Sequence, residues 1–102
     1  MNYVVRLANL AQAEAEEYLA LIHSRSNDPI AAEAWWSGLL EALRTLQTMP
    51  ARCAALQSMK PDQAVRRQLI YHSHRIIFRV EEATNTVIVL RIYHGSRRPL
   101  IP

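Results

Sequence analysis

The fold is decided by residues 65–94, which read VRRQLIYHSHRIIFRVEEATNTVIVLRIYH. Three segments of this stretch, 65–71, 75–81 and 86–94, are rich in Val, Ile, Leu, Phe and Tyr. The intervals between them are short enough to be hairpin turns. The stretch therefore predicts three consecutive antiparallel strands.

The first half of the chain predicts one more strand and two helices. Residues 2–7 alternate with the period of a strand that has one buried face, and from Ala8 apolar residues recur at helical spacing to about Ser24. Asp28 and Pro29 predict the start of a second helix, because Asp can cap the first turn and Pro fits the first helical position. That helix should end before Pro50. Its apolar stripe comprises Ala32, Trp35, Trp36, Leu39, Leu43 and Leu46.

The element order is therefore strand, helix, helix, strand, strand, strand. This order predicts an α+β domain in which a helical hairpin packs on one face of a small antiparallel sheet. Residues 49–64 show little periodicity and are interpreted as a connecting loop with at most one helical turn. Because 102 residues suffice for one core and not for two, we expect a single domain over residues 1–102.

Arginines of the last two strands are expected on the sheet face that the helices leave uncovered. Strand residues alternate between faces, so the middle strand's arginines point away from Phe78. In the last strand the same rule places Arg91 and Tyr93 on the face of Val87 and Val89. If paired residues of the two strands share a face, four side chains lie together on the uncovered face, namely Arg75, Arg79, Arg91 and Tyr93. Alternatively, these are scattered arginines whose stems shield exposed sheet.

The formal charge of +3 is unevenly distributed along the chain. Residues 1–51 carry three basic and six acidic side chains, a net charge of −3, while residues 52–102 carry nine basic and three acidic ones, a net charge of +6. A basic surface of this kind attracts phosphates or an acidic protein segment. A solvated, arginine-rich sheet face is the other interpretation.

Cysteine usage and hydropathy predict a cytoplasmic protein that does not enter a membrane. Cys53 is the single cysteine and cannot form an internal disulfide, and no signal-peptide core or apolar stretch of about 20 residues is present. We expect no metal and no other cofactor, since His72 and His74 lack a further ligand at zinc spacing. Ser96 beside His94 lacks a third orienting group, so hydrolase chemistry is not expected.

Four segments resemble the ParE/RelE superfamily of type II toxin–antitoxin toxins, in the same order and at similar spacing. The first is YVVRL at 3–7, followed by a helix rich in Ala and Glu, and the second is NDPIAA at 27–32. The third runs from VRRQL at 65–69 through HRIIFRV at 74–80, and the last is HGSRRP at 94–99, which resembles a His-Gly-x-Arg ending. One departure is Ala51-Arg52, where relatives often have Gly-Arg.

The RelE branch of this superfamily cleaves messenger RNA on the ribosome. If the chain resembles that branch in activity, its catalytic residues are Arg66, Arg75, His94 and Arg97, with His94 transferring a proton near neutral pH. However, Gln68 occupies a strand position that is a lysine in that branch, and an amide cannot act as a general base. The resemblance therefore favours the ParE branch, which binds DNA gyrase and has no known catalytic residues of its own.

The ParE resemblance implies two partners and no membrane. DNA gyrase, or its DNA complex, would bind a basic surface of Arg67, Arg75, Arg97 and Arg98. A cognate ParD-like antitoxin would form a hetero-oligomeric complex through Trp35, Trp36, Arg79 and Arg91. Adjacent tryptophans lie about 100° apart on a helix, so we expect only one to point into the core and the other to contact the antitoxin. The alternative is that a wide apolar stripe buries both. An inactive relative that only binds its antitoxin is the third reading.

Overall fold

A computed structural model describes residues 2–56 and 65–96. Two helices and five strands occur in this part of the chain, together with single 3-10 turns at Thr45–Gln47, Pro50–Arg52 and Glu82–Thr84. The helices are α1 (Asn9–Ser26) and α2 (Pro29–Arg44), and the strands are β1 (Val4–Leu7), β2 (Ala54–Ala55), β3 (Arg66–Tyr71), β4 (His74–Glu81) and β5 (Thr86–His94). The predicted α+β fold with a helical hairpin is confirmed.

The link between the helices is short because both of its ends are capped. Asn27 ends α1 in the left-handed conformation, with a φ of 50°, which asparagine tolerates better than most residues. The Asp28 Oδ1 atom then accepts a hydrogen bond from the Ile30 N–H at 2.9 Å. Asp28 is thus the predicted N-cap of α2, and Pro29 occupies its first turn.

The strands form one sheet in the order β1-β5-β4-β3-β2. β1 pairs in parallel with β5, and the other pairs are antiparallel. The sheet is therefore mixed. The two helices and strands β2, β3 and β4 supply the long connection between β1 and its parallel partner β5. The two-residue β2 comes from the segment interpreted as a loop and pairs with β3 at the edge.

A β-bulge in β5 reverses the alternation of its side chains. Phe78 pairs with Val89, but Ile77 pairs with Arg91, so Leu90 is an extra residue. Val87, Val89 and Ile92 are all buried. The prediction that Arg91 and Tyr93 share a face with Val87 and Val89 is therefore wrong, because the extra residue turns them to the opposite face.

The core lies between the helices and one face of the sheet, which we call the inner face; the other is the outer face. Small residues of α1, Ala11 and Ala15, are buried in this core, and they let α1 lie close to β5. The largest fully buried side chains are Phe78, Leu39, Leu46, Ile76, Ile92, Val87, Val89 and Pro50. No helix in the described part of the chain is long and apolar enough to cross a membrane.

Candidate functional site

One row of the outer face carries three arginines across four neighbouring strands. Arg6 of β1 pairs with Ile88 of β5, Ile88 pairs with Arg79 of β4, and Arg79 pairs with Arg66 of β3. Directly paired residues share a face, and Ile88 lies between the inner-face residues Val87 and Val89. We call Arg6, Ile88, Arg79 and Arg66 the arginine row.

Arg75 lies on the same face, at the end of the sheet where β3 turns into β4. It pairs with Ile70 on one side and with Tyr93 on the other, and its side chain is exposed. Beside it is a shallow cavity of about 310 Å³ that is widely open to solvent. The lining residues of this cavity are Ile70, His72, Ser73, His74, Arg75, His94, Gly95 and Ser96. Arg75 and His94, both named as candidates above, therefore share one cavity.

The His94 imidazole is oriented by Ser96. The Ser96 N–H donates to His94 Nδ1 at 3.1 Å, and the Ser96 Oγ atom is 2.7 Å from the same nitrogen. A nitrogen that accepts a backbone N–H carries no proton, so in the neutral ring the proton resides on Nε2. The ring thus has a defined tautomer.

His74 pairs with His94 across the sheet and lies within an aromatic cluster on the inner face. Its ring is 4.1 Å from the Tyr18 ring and 5.3 Å from both the Trp35 and the His94 rings, measured between centroids. Only 3% of His74 is exposed. Burial lowers the pKa of His74 below its ordinary value, and repulsion from protonated His94 and His72 lowers it further.

Arg91 forms a two-pronged ion pair with Glu14 of α1. Arg91 Nε is 3.0 Å from Glu14 Oε1, and Arg91 NH2 is 2.7 Å from Glu14 Oε2. Glu14 Oε1 also accepts the Ile92 N–H at 3.0 Å. β1 ends opposite Val89, so the next residues of β5 have no strand beside them on this side. There the Glu14 carboxylate accepts the backbone hydrogen bond that a neighbouring strand would otherwise accept. Hydrogen bonding to Glu14 raises the pKa of Arg91 above its ordinary value.

Most of the chain matches one known protein family. Residues 5–99 match the family described as ParE toxin of type II toxin-antitoxin system, parDE. The chain belongs to the ParE toxin family. No curated protein sequence matches it significantly.

Solved structures show that the ParE fold of this chain is shared with RelE proteins. A chain of the chromosomal ParDE toxin–antitoxin system of P. aeruginosa superposes with a TM-score of 0.72 at 19% identity, over 90% of this chain and 95% of that one. The RelBE2 complex of Mycobacterium tuberculosis gives a TM-score of 0.63 at 18% identity, over 92% of each chain. The archaeal RelE–RelB complex of Pyrococcus horikoshii OT3 gives 0.63 at 14%, over 96% of this chain and 100% of that chain.

The predicted gyrase-binding residues of this ParE-family chain do not all lie together. Arg67 lies on the inner face, opposite Phe78, and its NH1 atom donates to the Cys53 carbonyl at 2.8 Å. It holds the edge strand β2 and points away from Arg75. Arg97 and Arg98 lie outside the described residues. Of the predicted set, Arg75 is thus the described member on the outer face.

The predicted antitoxin-binding residues are divided between the two faces of the sheet. Trp35 and Trp36 are half-buried on α2 and pack against the core, whereas Arg79 and Arg91 point to the outer face. One antitoxin segment would have to pass around an edge of the sheet to contact all four. Within residues 2–56 and 65–96, no group of three or more His, Cys, Asp or Glu side chains is arranged to hold a metal ion.

Two positions at the outer face and its edge were not singled out by the sequence interpretation. Glu14 belongs to the predicted first helix and Arg6 to the predicted first strand, and nothing in their sequence neighbourhood indicates an ion pair or an arginine row. Arg6 joins the row because β1 lies beside β5, and Glu14 reaches Arg91 because α1 packs on β5, so residues about 80 positions apart come into contact.

We expect the ParE fold to lose stability as the pH falls below the ordinary histidine pKa of about 6.5. The unfolded chain then binds a proton at His74 that the folded chain resists, so the free energy of unfolding decreases with falling pH and levels off below the lowered folded-state pKa. Urea unfolding at pH 7.5, 6.5 and 5.5 measures this, with His74→Gln as the test variant. The pH dependence should be weaker in His74→Gln and retained in a control His23→Gln on α1; equal pH dependence in all three proteins would contradict it.

Proposed function

We propose that this chain is the toxin of a type II toxin–antitoxin pair, that it poisons DNA gyrase, and that a cognate antitoxin neutralises it. The family match over residues 5–99 supports the toxin assignment. The solved ParDE and RelBE structures come from toxin–antitoxin systems, which supports an antitoxin partner. The choice of gyrase over messenger RNA depends on the chemistry of the outer face.

The observation that carries the choice is Gln68. In the RNA-cleaving branch this strand position supplies a lysine, whereas here it supplies a neutral amide that does not transfer protons near neutral pH. Gln68 is paired with Ile77 and Ala54. Its Oε1 atom is buried without a hydrogen-bond partner in the described part of the chain. The position therefore offers no group that could activate a 2′-hydroxyl.

Without proton-transfer chemistry, the toxin acts by occupancy. Arg75 is an exposed cation at one end of the outer face, and no carboxylate of the described residues lies within ion-pairing distance of it. A guanidinium of this kind can bind a phosphate or a carboxylate of the target with two parallel hydrogen bonds. Binding to the gyrase–DNA complex would hold the enzyme with its DNA broken.

Gyrase assays test the proposal. The purified chain should inhibit supercoiling and accumulate cleaved DNA, and Arg75→Ala should raise the concentration for half-inhibition at least about tenfold, the loss of one charge-assisted contact. Arg44→Ala is the matched control, because Arg44 is an exposed arginine of α2 whose ion-pair partner among the described residues is Glu41, one turn away. No cleaved DNA, or equal potency of the Arg75→Ala and wild-type chains, would refute the gyrase proposal.

Ribosome-dependent RNA cleavage is the second candidate, and the cavity shared by Arg75 and His94 favours it. His94 offers a titratable ring with a defined tautomer, and Arg75 offers a cation for the developing phosphorane charge. A translating extract separates the two functions, since the second candidate predicts cut message that disappears in His94→Gln. Cut message without gyrase inhibition would replace the gyrase proposal with this one.

A further inference from the structure

The arginine row combines three cations at a cost to the folded chain. Arg66 and Arg79 are directly opposite each other on neighbouring strands, and like charges in that position repel. Arg79 also contacts Glu81, with Arg79 NH1 3.2 Å from Glu81 Oε1. The Glu81 side chain is 47% exposed, so water screens this single contact and the pair contributes little. No carboxylate of the described residues pairs with Arg6. A bound anion would relieve this repulsion.

The row crosses four neighbouring strands at a regular spacing. Neighbouring strands are about 4.8 Å apart, so the three intervals from Arg6 to Arg66 span about 14 Å. Ile88 separates Arg6 from Arg79 and adds no charge to the row. The described helices pack on the inner face, so they do not cover the row.

We infer that Arg6, Arg79 and Arg66 form a phosphate-binding row that holds the DNA backbone while the toxin engages gyrase. The inference builds on the proposed function, because DNA is the substrate of the proposed target. Beyond that function, the toxin would contact this DNA directly. Arg6 of β1, which is outside the predicted gyrase-binding set, would take part in the contact.

The spacing favours a nucleic-acid backbone over an acidic peptide. One DNA strand carries a negative charge about every 3.4 Å of helix axis as it winds around that axis, so a row of about 14 Å can meet backbone phosphates whatever the base sequence. All three cations are arginines, which bind the oxygens of a phosphate with paired hydrogen bonds. An acidic peptide would need carboxylates at matching intervals to satisfy the same row.

Binding of the full chain to a labelled 20-base-pair duplex, without gyrase, tests the inference by fluorescence anisotropy over a series of salt concentrations. Three phosphate contacts predict a slope of log K against log salt concentration of about −2.7. Arg6→Gln and Arg79→Gln should each reduce the magnitude of the slope by about 0.9. Arg25→Gln and Arg44→Gln remove the same charge from the helices and should leave the slope unchanged.

Three results would overturn the phosphate-binding row. They are no duplex binding, equal slopes in the row and helix variants, and binding of poly-glutamate or single-stranded RNA in clear preference to the duplex. Urea unfolding of Arg6→Gln shows whether a lost slope reflects lost folding; Arg6 is exposed on β1, so its variant should unfold like the wild type. If the row variants lose duplex binding but still poison gyrase, the proposed function stands and DNA contact is not needed for it. If duplex binding follows the prediction while gyrase is unaffected, the proposed function fails alone.

Discussion

Glu14→Ala is expected to lower the free energy of unfolding by about 2–3 kcal/mol, one of the two largest effects that we predict. The carboxylate accepts two hydrogen bonds from the Arg91 guanidinium and a third from the Ile92 N–H. Removing it leaves a cation and an edge N–H of β5 without their acceptor. The side chain of Glu14 is only 17% exposed and that of Arg91 31%. The pair is therefore more protected from solvent than an ordinary surface ion pair, although Arg91 can still turn partly toward water.

Chemical or thermal unfolding measures this effect against two controls. Glu16→Ala removes the same charge from an exposed position of α1, and its change should stay within about 0.5 kcal/mol. Glu14→Gln keeps an oxygen that can accept the Ile92 N–H but loses the charge, so its cost should be intermediate. Adding Arg91→Ala to Glu14→Ala should cost less than the sum of the single changes, because the two residues interact. A Glu14→Ala protein as stable as Glu16→Ala would show that the contact does not support the fold.

Gly38→Ala is expected to destabilise the fold by about 2 kcal/mol, within the range for overpacked sites, although alanine is the better helix former by about 1 kcal/mol. The Tyr71 hydroxyl lies directly over Gly38 and donates to the Trp35 carbonyl at 2.8 Å. A methyl group at Gly38 would overlap the hydroxyl oxygen and would stand 3.1 Å from the ring carbon that carries it. Because Tyr71 belongs to β3, the overlap pushes α2 away from the sheet, and this cost exceeds the gain in helix propensity.

Two companion variants make the Gly38 measurement decisive. Ser37→Ala changes the neighbouring exposed residue to the same side chain, and its stability should be equal to or slightly above that of the wild type. Gly38→Ala in a Tyr71→Phe background removes the overlapping hydroxyl, so the methyl group should cost less there than in the wild type. If Gly38→Ala raises the unfolding midpoint, the close approach of Tyr71 to α2 is absent in solution.

Much of the fold follows from local rules that a single sequence carries. Predicted strands at 65–71, 75–81 and 86–94 correspond to β3, β4 and β5 within one residue at each end, because turn residues and β-branched runs determine where strands begin and end. Asp28 was predicted as an N-cap and is one. For the candidate site, alternation alone placed Arg75 and Arg79 on the outer face. Period-2 geometry is enough for this where no residue is inserted.

The face of Arg91 could not be predicted because a bulge has no reliable local signal. Leu90 is one more apolar residue in a run of apolar residues. Its insertion becomes apparent only when Phe78 and Ile77 are paired with Val89 and Arg91. The prediction that the four side chains gather on one face agrees with the register, although the alternation assumed for β5 was wrong.

By itself, the sequence determined the two helices and the strands β1, β3, β4 and β5, though not the short edge strand β2. It also determined where the helical hairpin turns and that the basic residues concentrate in the second half. These properties depend on residues at most a few positions apart, whose spacing can be read along the chain. Only the tertiary structure decided that β1 pairs in parallel with β5, that Glu14 caps the open edge of β5, and that Arg6 joins Arg79 and Arg66 in one row. Those contacts join residues from opposite ends of the chain, and strand register, which depends on packing of the whole core, brings them together.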